Sequence, residues 1–128
     1  QQPLARIVGY AQAAVDPKHI FIAPARAIPK LLEQVGWTLA DVDLIELNEA
    51  YAAQVLADGY ALADQGWDWD KVNVHGGAIA LGHPLGASGA RLLATLIYAL
   101  KDRGLKRGIA SLCLGGAEAV AMAIELEA

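Results

Sequence analysis

The chain has 128 residues and a formal net charge of −4, and 55% of its residues are apolar. This length allows one domain at most, and an acidic chain without a lysine or arginine stripe argues against nucleic acid or an anionic membrane as a partner. The longest strongly apolar helical run, residues 92–100, is too short to span a bilayer. The only cysteine, Cys113, excludes an internal disulfide and suits a reducing compartment, so we expect a cytoplasmic protein.

Two features point beyond this chain. The sequence begins Gln1-Gln2-Pro3 and its only methionine is Met122, so we expect a processed or excerpted part of a longer chain. The high apolar fraction indicates that something outside the chain covers part of its surface.

Apolar periodicity predicts an alternation of strands and helices. Strands are predicted at residues 5–15, 44–47, 107–114 and 119–126, and helices at residues 24–35, 49–64 and 88–103. Pro29 lacks an N–H, so the first helix either becomes regular only at Pro29 or is kinked there. The helix at 88–103 is predicted to be buried on most sides, and the last two strands to be covered on both faces. This order predicts an α/β fold, a mixed sheet with helices on both faces.

Residues 73–91 form a segment rich in glycine and lead directly into the last predicted helix. Glycine lets a backbone turn sharply and approach another group closely. His83 lies between Gly82 and Pro84 in this segment, so it is well placed to act as an acid, a base or a hydrogen-bond donor. The alternative is a tight structural loop that carries a surface histidine.

Two further positions could carry chemistry. Cys113, at the end of a strand and followed by glycines, could present a thiolate beside backbone N–H groups that bind an oxyanion. Alternatively, Cys113 is a small buried hydrophobic residue. Asn48 and Glu49 lie at a strand-to-helix junction, where the alternative to a chemical role is a helix cap with Glu49 in the first turn.

Metal and dinucleotide sites are not expected. His75, His83, Cys113 and Glu49 include no pair with the short spacing of a zinc site. The glycines at positions 82–89 do not follow the G-x-G-x-x-G spacing, and no acidic residue follows a strand at the required distance.

The three candidate segments occur in the order that resembles the C-terminal half of a thiolase, and the resemblance covers essentially residues 1–128. The matching segments are Asn48-Glu49-Ala50-Tyr51, Val72 through Ala80, Gly82-His83-Pro84 through Arg91, and Cys113-Leu114-Gly115-Gly116. The block from Val72 to Arg91 is the most specific of them. The resemblance implies one half of a thiolase-type fold, whose parent has five layers in the order αβαβα.

The resemblance also assigns roles to individual positions. His83 would activate a nucleophilic cysteine and help to hold the thioester oxygen. Cys113 would be the second catalytic thiol, an acid and base toward the substrate. Asn48 would hold a water in one oxyanion hole, and the N–H of Gly115 would contribute to the other. Tyr51, with Ala50 beside it, would line the acyl pocket as the substrate-binding part of the site.

The implied activity is that of an acetyl-CoA C-acyltransferase, which condenses acetyl-CoA or cleaves a 3-oxoacyl-CoA in fatty acid metabolism. Coenzyme A thioesters would be the substrates, with no further cofactor, and the complete enzyme would be a homodimer or tetramer. A non-catalytic fragment or structural subunit of a thiolase-like assembly is the alternative. A ketosynthase-type condensing enzyme is disfavoured, since those enzymes usually carry two histidines and no Cys-x-Gly thiol near the end.

The chain departs from the family pattern in two places. The nucleophilic cysteine of thiolases lies in the N-terminal half, and the loop domain that contacts coenzyme A is also absent, so we expect this chain alone to be inactive. After Gly116, many thiolases continue with glycine, whereas this chain has Ala117 and Glu118.

Overall fold

Helices and strands alternate along the chain, and the computed structural model describes residues 2–127. In chain order they are β1 (Ala5–Ala14), α1 (Pro24–Val35), β2 (Leu44–Leu47), α2 (Ala52–Ala61), α3 (Ala78–Leu81), α4 (Ser88–Arg103), β3 (Arg107–Leu114) and β4 (Glu118–Leu126). Short segments of 3-10 helix occupy several of the connections. In the described part of the chain, no helix is both long enough and apolar enough to cross a membrane.

The four strands form one mixed sheet in the order β1-β4-β3-β2, which confirms the predicted sheet type. β4 is antiparallel to both β1 and β3, whereas β2 is parallel to β3. The parallel pair is joined through α2, α3 and α4, as a crossover between parallel strands requires. The carboxyl ends of β2 and β3 therefore lie side by side, with Leu47 opposite Ser111.

Helices cover both faces of the sheet, as predicted. On one face, Ile28 and Leu31 of α1 are completely buried in a core with Ala121 and Ala123 of β4. On the other face, α4 packs its leucines against β2 and β3. Gly108 permits this approach, because a Cβ atom there would lie 2.7 Å from a methyl carbon of Leu96.

One of the predicted helices has different limits, whereas the helix predicted at 24–35 has the predicted ones. The helix predicted at 49–64 spans only Ala52–Ala61, because the backbone stays extended as far as Tyr51 (φ −147°, ψ 149°). Gly66 ends a following 3-10 turn instead of this helix. α1 starts at Pro24 and runs through Pro29 as one helix, so the regular helix does not start at Pro29.

The predicted burial of α4 on most sides is wrong for this chain. Ala90, Ala94 and Tyr98 form an exposed stripe along its outer side, because no other element of the described residues packs there. β4 is likewise covered fully on only one face: Ala119, Ala121 and Ala123 are completely buried there, whereas on the other face Ile124 is buried but Val120 and Met122 are half-buried. The unpacked surface is thus continuous from α4 to the neighbouring part of the sheet.

The departure at Ala117 leaves the end of β3 intact. Gly116 and Ala117 both take positive φ angles, 82° and 61°, in the turn between β3 and β4. A left-handed conformation is disfavoured for alanine, which accounts for the advantage of glycine at this position. Cys113 still pairs in register with Ala119.

Candidate active site

The candidate residues meet at the edge of the sheet where β2 and β3 end. Asn48 directly follows β2, and its backbone N–H donates to the carbonyl of Ser111 at 2.9 Å, which continues the parallel ladder by one residue. Cys113 lies two residues beyond Ser111 on β3. His83 reaches the same edge from the loop between α3 and α4.

His83 is held by a hydrogen bond at each ring nitrogen. Its Nδ1 lies 2.6 Å from the Ser88 hydroxyl oxygen, and its Nε2 lies 3.4 Å from Nδ2 of Asn48. The Ser88 hydroxyl donates its own proton to the carbonyl of Pro84 at 3.2 Å. It therefore accepts from His83, which assigns the proton to Nδ1 and leaves the Nε2 lone pair facing Asn48. Nε2 is then the unprotonated ring nitrogen, and it can accept a proton in place of the long contact to Asn48.

Asn48 is buried, with only 1% of its surface exposed. Its Nδ2 faces His83, whereas its Oδ1 has no hydrogen-bond partner among the described residues. Because buried polar atoms are nearly always hydrogen-bonded, this oxygen calls for a donor such as an ordered water.

Cys113 is half-buried and carries a free thiol. Burial raises the pKa of this thiol above its ordinary value, and the negative charge of Asp58 raises it further. The thiol is therefore protonated at neutral pH, and the thiolate, once formed, is a strong base. No hydrogen bond within the described residues joins Cys113 to His83 or Asn48.

The remaining predicted site residues surround this edge. Gly115 is exposed in the turn after β3, and nothing lies within 4 Å of the position a Cβ atom would take. Tyr51 is 61% exposed, and its ring packs edge-on against Phe21 at 5.1 Å between centroids. The N–H of Ala50 donates to the side-chain oxygen of Gln54 at 3.2 Å. The structure thus brings Asn48 and His83 into contact and keeps Tyr51 at the surface.

The helix-cap alternative for Asn48 and Glu49 is wrong. α2 begins three residues after Glu49, and the Asn48 side chain bonds to His83 instead of a helix N–H. The Glu49 carboxylate accepts hydrogen bonds from the backbone N–H of Ile79 at 2.9 Å and from Nδ2 of Asn73 at 3.2 Å.

Sequence reasoning missed Ser88 and Asn73 as parts of this site. Ser88 was read only as the first residue of a helix, although a hydroxyl five residues after a candidate histidine is within reach of its ring when a tight loop separates them. Asn73 takes a positive φ of 49°, and asparagine is among the few residues that tolerate this conformation. No sequence pattern linked Asn73 to the end of β2.

Two buried carboxyl groups lie close to the site. Burial raises the pKa of Glu46, which is 1% exposed, to about 7, although the positive charge of Arg91 opposes the rise. Burial also raises the pKa of Asp58 to about 7, against the hydrogen bonds that Gln54 and the Ala25 N–H donate to it. Neither oxygen of Glu46 has a hydrogen-bond partner among the described residues.

These two groups predict that the free energy of unfolding falls as the pH rises from about 4 to about 7. Their ordinary pKa values are 4.5 and 3.8, so over this interval the folded chain binds more protons than the unfolded chain. Below about pH 4 both groups are protonated in the folded chain, and their stabilising contribution is complete. As the pH rises through the interval, each group lowers the free energy of unfolding by up to about 1.4 kcal/mol per pH unit. Glu46→Gln should flatten the slope measured by urea unfolding. Glu33→Gln, on the exposed side of α1, is the matched control, and an unchanged slope in Glu46→Gln would contradict the prediction.

Comparisons with known proteins identify the family. The model of the thiolase C-terminal domain matches residues 1–126. The acetyl-CoA acetyltransferase of Allochromatium vinosum is 54% identical over 124 residues, which are 97% of this chain and 31% of that protein. The probable acetyl-CoA acetyltransferase of Escherichia coli is 53% identical over 122 residues, 95% of this chain and 30% of that protein.

Solved structures agree with these sequence matches. The Bacillus anthracis acetyl-CoA acetyltransferase superposes with a TM-score of 0.92 at 56% identity, over 98% of this chain and 31% of that one. Human mitochondrial 3-ketoacyl-CoA thiolase in complex with CoA gives a TM-score of 0.92 at 46% identity, over 99% of this chain and 32% of that one. The chain spans about a third of the length of the relatives it matches. With the family model covering nearly all of its residues, the chain belongs to the thiolase C-terminal domain family.

Proposed function

We propose that the chain supplies the C-terminal part of the active site of an acetyl-CoA C-acyltransferase. The enzyme would transfer acyl groups between coenzyme A and other thioesters, by condensing acetyl-CoA or by cleaving a 3-oxoacyl-CoA. The observation that carries the proposal is the hydrogen-bonded row Asn48–His83–Ser88, at the sheet edge near Cys113, the next-to-last residue of β3. The names of the similar proteins, acetyl-CoA acetyltransferase and 3-ketoacyl-CoA thiolase, support the substrate class.

The unprotonated Nε2 of His83 suits the first step of this chemistry. A cysteine thiol of an N-terminal thiolase half would pass its proton to Nε2, and the resulting thiolate would attack the acyl thioester. The protonated Nε2 would then donate a hydrogen bond to the developing oxyanion, with a water held by Asn48 as the second donor. Collapse of this intermediate would break the bond between the acyl carbon and the sulfur of coenzyme A, which would leave as the thiol with the proton of Cys113, so that Cys113 becomes the thiolate. The unpartnered Oδ1 of Asn48 supports the presence of that water.

The raised pKa of Cys113 suits the second step. The α-proton of a thioester is weakly acidic, so its removal needs a strong base and donors for the enolate oxygen. The Cys113 thiolate would take this proton, with the N–H of Gly115 as one donor. The enolate would form a carbon–carbon bond to the acyl carbon as that carbon's bond to the nucleophilic cysteine breaks. Tyr51 and Ala50 would face the acyl chain.

An N-terminal thiolase half is the partner that this surface fits best. The exposed stripe Ala90, Ala94 and Tyr98 on α4 continues into an apolar cavity of about 120 Å³. The cavity is lined by Leu93, Tyr10, Leu112, Val120 and Met122, among others. Packing a second sheet and its helices on this side would complete the five-layer αβαβα parent. The complete enzyme would act in fatty acid metabolism as a cytoplasmic homodimer or tetramer.

The proposal is tested by assaying acetoacetyl-CoA thiolysis with this chain alone, an N-terminal thiolase half alone, and the two together. We expect turnover only from the combination, because residues 1–128 include His83 and Cys113 but none that matches the nucleophilic cysteine of the N-terminal half. Robust activity from this chain alone would contradict the expectation that it lacks the nucleophilic cysteine. A folded but inactive combination would favour the structural-subunit alternative.

A further inference from the structure

Asn48 and His83 come from segments far apart in the sequence, and their contact depends on how those segments are fastened together. The contact between Asn48 Nδ2 and His83 Nε2, at 3.4 Å, joins the end of β2 to the loop after α3. Only a few tenths of an ångström separate this contact from a broken hydrogen bond. Some other group must therefore hold the two segments in register.

Asn73 fastens the second segment to β2. Its side chain pairs with both backbone groups of Leu47: Oδ1 accepts from the N–H and Nδ2 donates to the carbonyl, each at 2.8 Å. Its own N–H donates to the carbonyl of Ile45 at 2.9 Å. Asn73 thus acts as an extra strand residue, held at the position just before Asn48.

Glu49 connects this anchor to the segment that carries His83. One carboxylate oxygen accepts from Nδ2 of Asn73, and the other accepts from the N–H of Ile79 in α3. α3 ends at Leu81, and Gly82 with a φ of 92° then turns the chain into His83. Among the described residues, the carboxylate therefore makes the only side-chain hydrogen bond between the Asn48 segment and α3.

Gly77 provides independent evidence that the Glu49 carboxylate links the two segments. Its φ of −149° is extended backbone, which any residue adopts, so conformation does not demand glycine here. A Cβ atom at Gly77 would instead overlap the Glu49 carboxylate. The absence of a side chain at position 77 is what lets Glu49 reach Ile79.

We propose that Glu49 is a positioning residue that sets the separation of Asn48 and His83. The inference rests on the proposed function for its effect on turnover, but its structural part concerns only this chain. Glu49 makes no hydrogen bond to His83 within the described residues, and it acts by holding α3 against the end of β2. Gln at position 49 would keep one acceptor but place its NH₂ group against a donor, either the Ile79 N–H or the Asn73 amide.

The test uses Glu49→Gln, Gly77→Ala and the double variant, each measured in this chain mixed with an N-terminal thiolase half. This mixture is called the combined chains. Gly77→Ala displaces the carboxylate without altering its chemistry, so the two single variants should lower kcat by similar factors, roughly 10- to 100-fold, with little change in KM. Because both changes break the same contact, between Glu49 and Ile79, the double variant should lose no more of its kcat than either single variant. Multiplicative losses would overturn the proposal. Glu33→Gln, on the exposed side of α1, is the matched control, since it makes the same change from Glu to Gln away from the site.

A readout without turnover separates this inference from the proposed function. The chain has three histidines, so ¹⁵N-histidine labelling allows the His83 ring nitrogens to be assigned by substituting His19 and His75. Both Glu49→Gln and Gly77→Ala should shift the His83 Nε2 signal, while Glu33→Gln should not. If wild-type combined chains are inactive but these shifts occur, the positioning role stands and the proposed function falls. If both variants fold by circular dichroism and the signal is unchanged, the positioning role is wrong.

Discussion

Cys113→Ser is expected to lower the turnover of the combined chains by about 10²–10⁴-fold, the usual contribution of a positioned acid–base group. A serine hydroxyl keeps the shape of the side chain, but it ionises far less readily than a thiol and cannot remove an α-proton. The measurement is kcat for acetoacetyl-CoA thiolysis, with circular dichroism to verify folding.

Ala117→Gly is the matched control for this change. It alters the same turn, and it relieves an alanine held at a φ of 61°. We expect it to leave turnover within a few-fold of the starting value and to raise stability slightly. If Cys113→Ser behaved like Ala117→Gly, Cys113 would be the small buried residue of the alternative interpretation.

His83→Ala is expected to cost at least as much as Cys113→Ser, because two functions are lost together. The partner's cysteine loses its proton acceptor, and the thioester oxygen loses a hydrogen-bond donor that is worth roughly 10²–10³ in rate by itself. Asn48→Ala should cost less than His83→Ala, because Asn48 acts through a water. Rates of acyl-enzyme formation with acetyl-CoA measure this step directly. Equal losses in the two variants would contradict the assignment of the base to His83.

Much of the fold could be predicted from local sequence signals. β2, β3 and α4 all have the predicted limits. The end of α4 was predictable because Gly104, which follows it, takes a left-handed conformation at a φ of 65°. The start of α2 was predicted wrongly for a physical reason. The partners of Glu49 are Asn73 and Ile79, far along the chain, and a local capping pattern carries no information about them.

The site was less accessible to sequence reasoning. His83 and Cys113 stood out by residue type and glycine context, but their roles came from the family resemblance. The contact of His83 with Ser88 depends on the path of the loop through Pro84, which spacing does not specify. The burial of Glu46 depends on how α4 lies on β2, since alternation along a strand does not distinguish a covered face from an open one.

The division of labour between His83 and Cys113 is tested most directly by deuterium exchange into the α-carbon of acetyl-CoA, followed alongside acylation of the partner's cysteine. The account predicts that Cys113→Ser in the combined chains abolishes exchange but still forms the acyl-enzyme, because only the exchange requires a base at the α-carbon. Intact exchange together with lost acylation in Cys113→Ser would contradict it, since Cys113 would then carry the nucleophilic step.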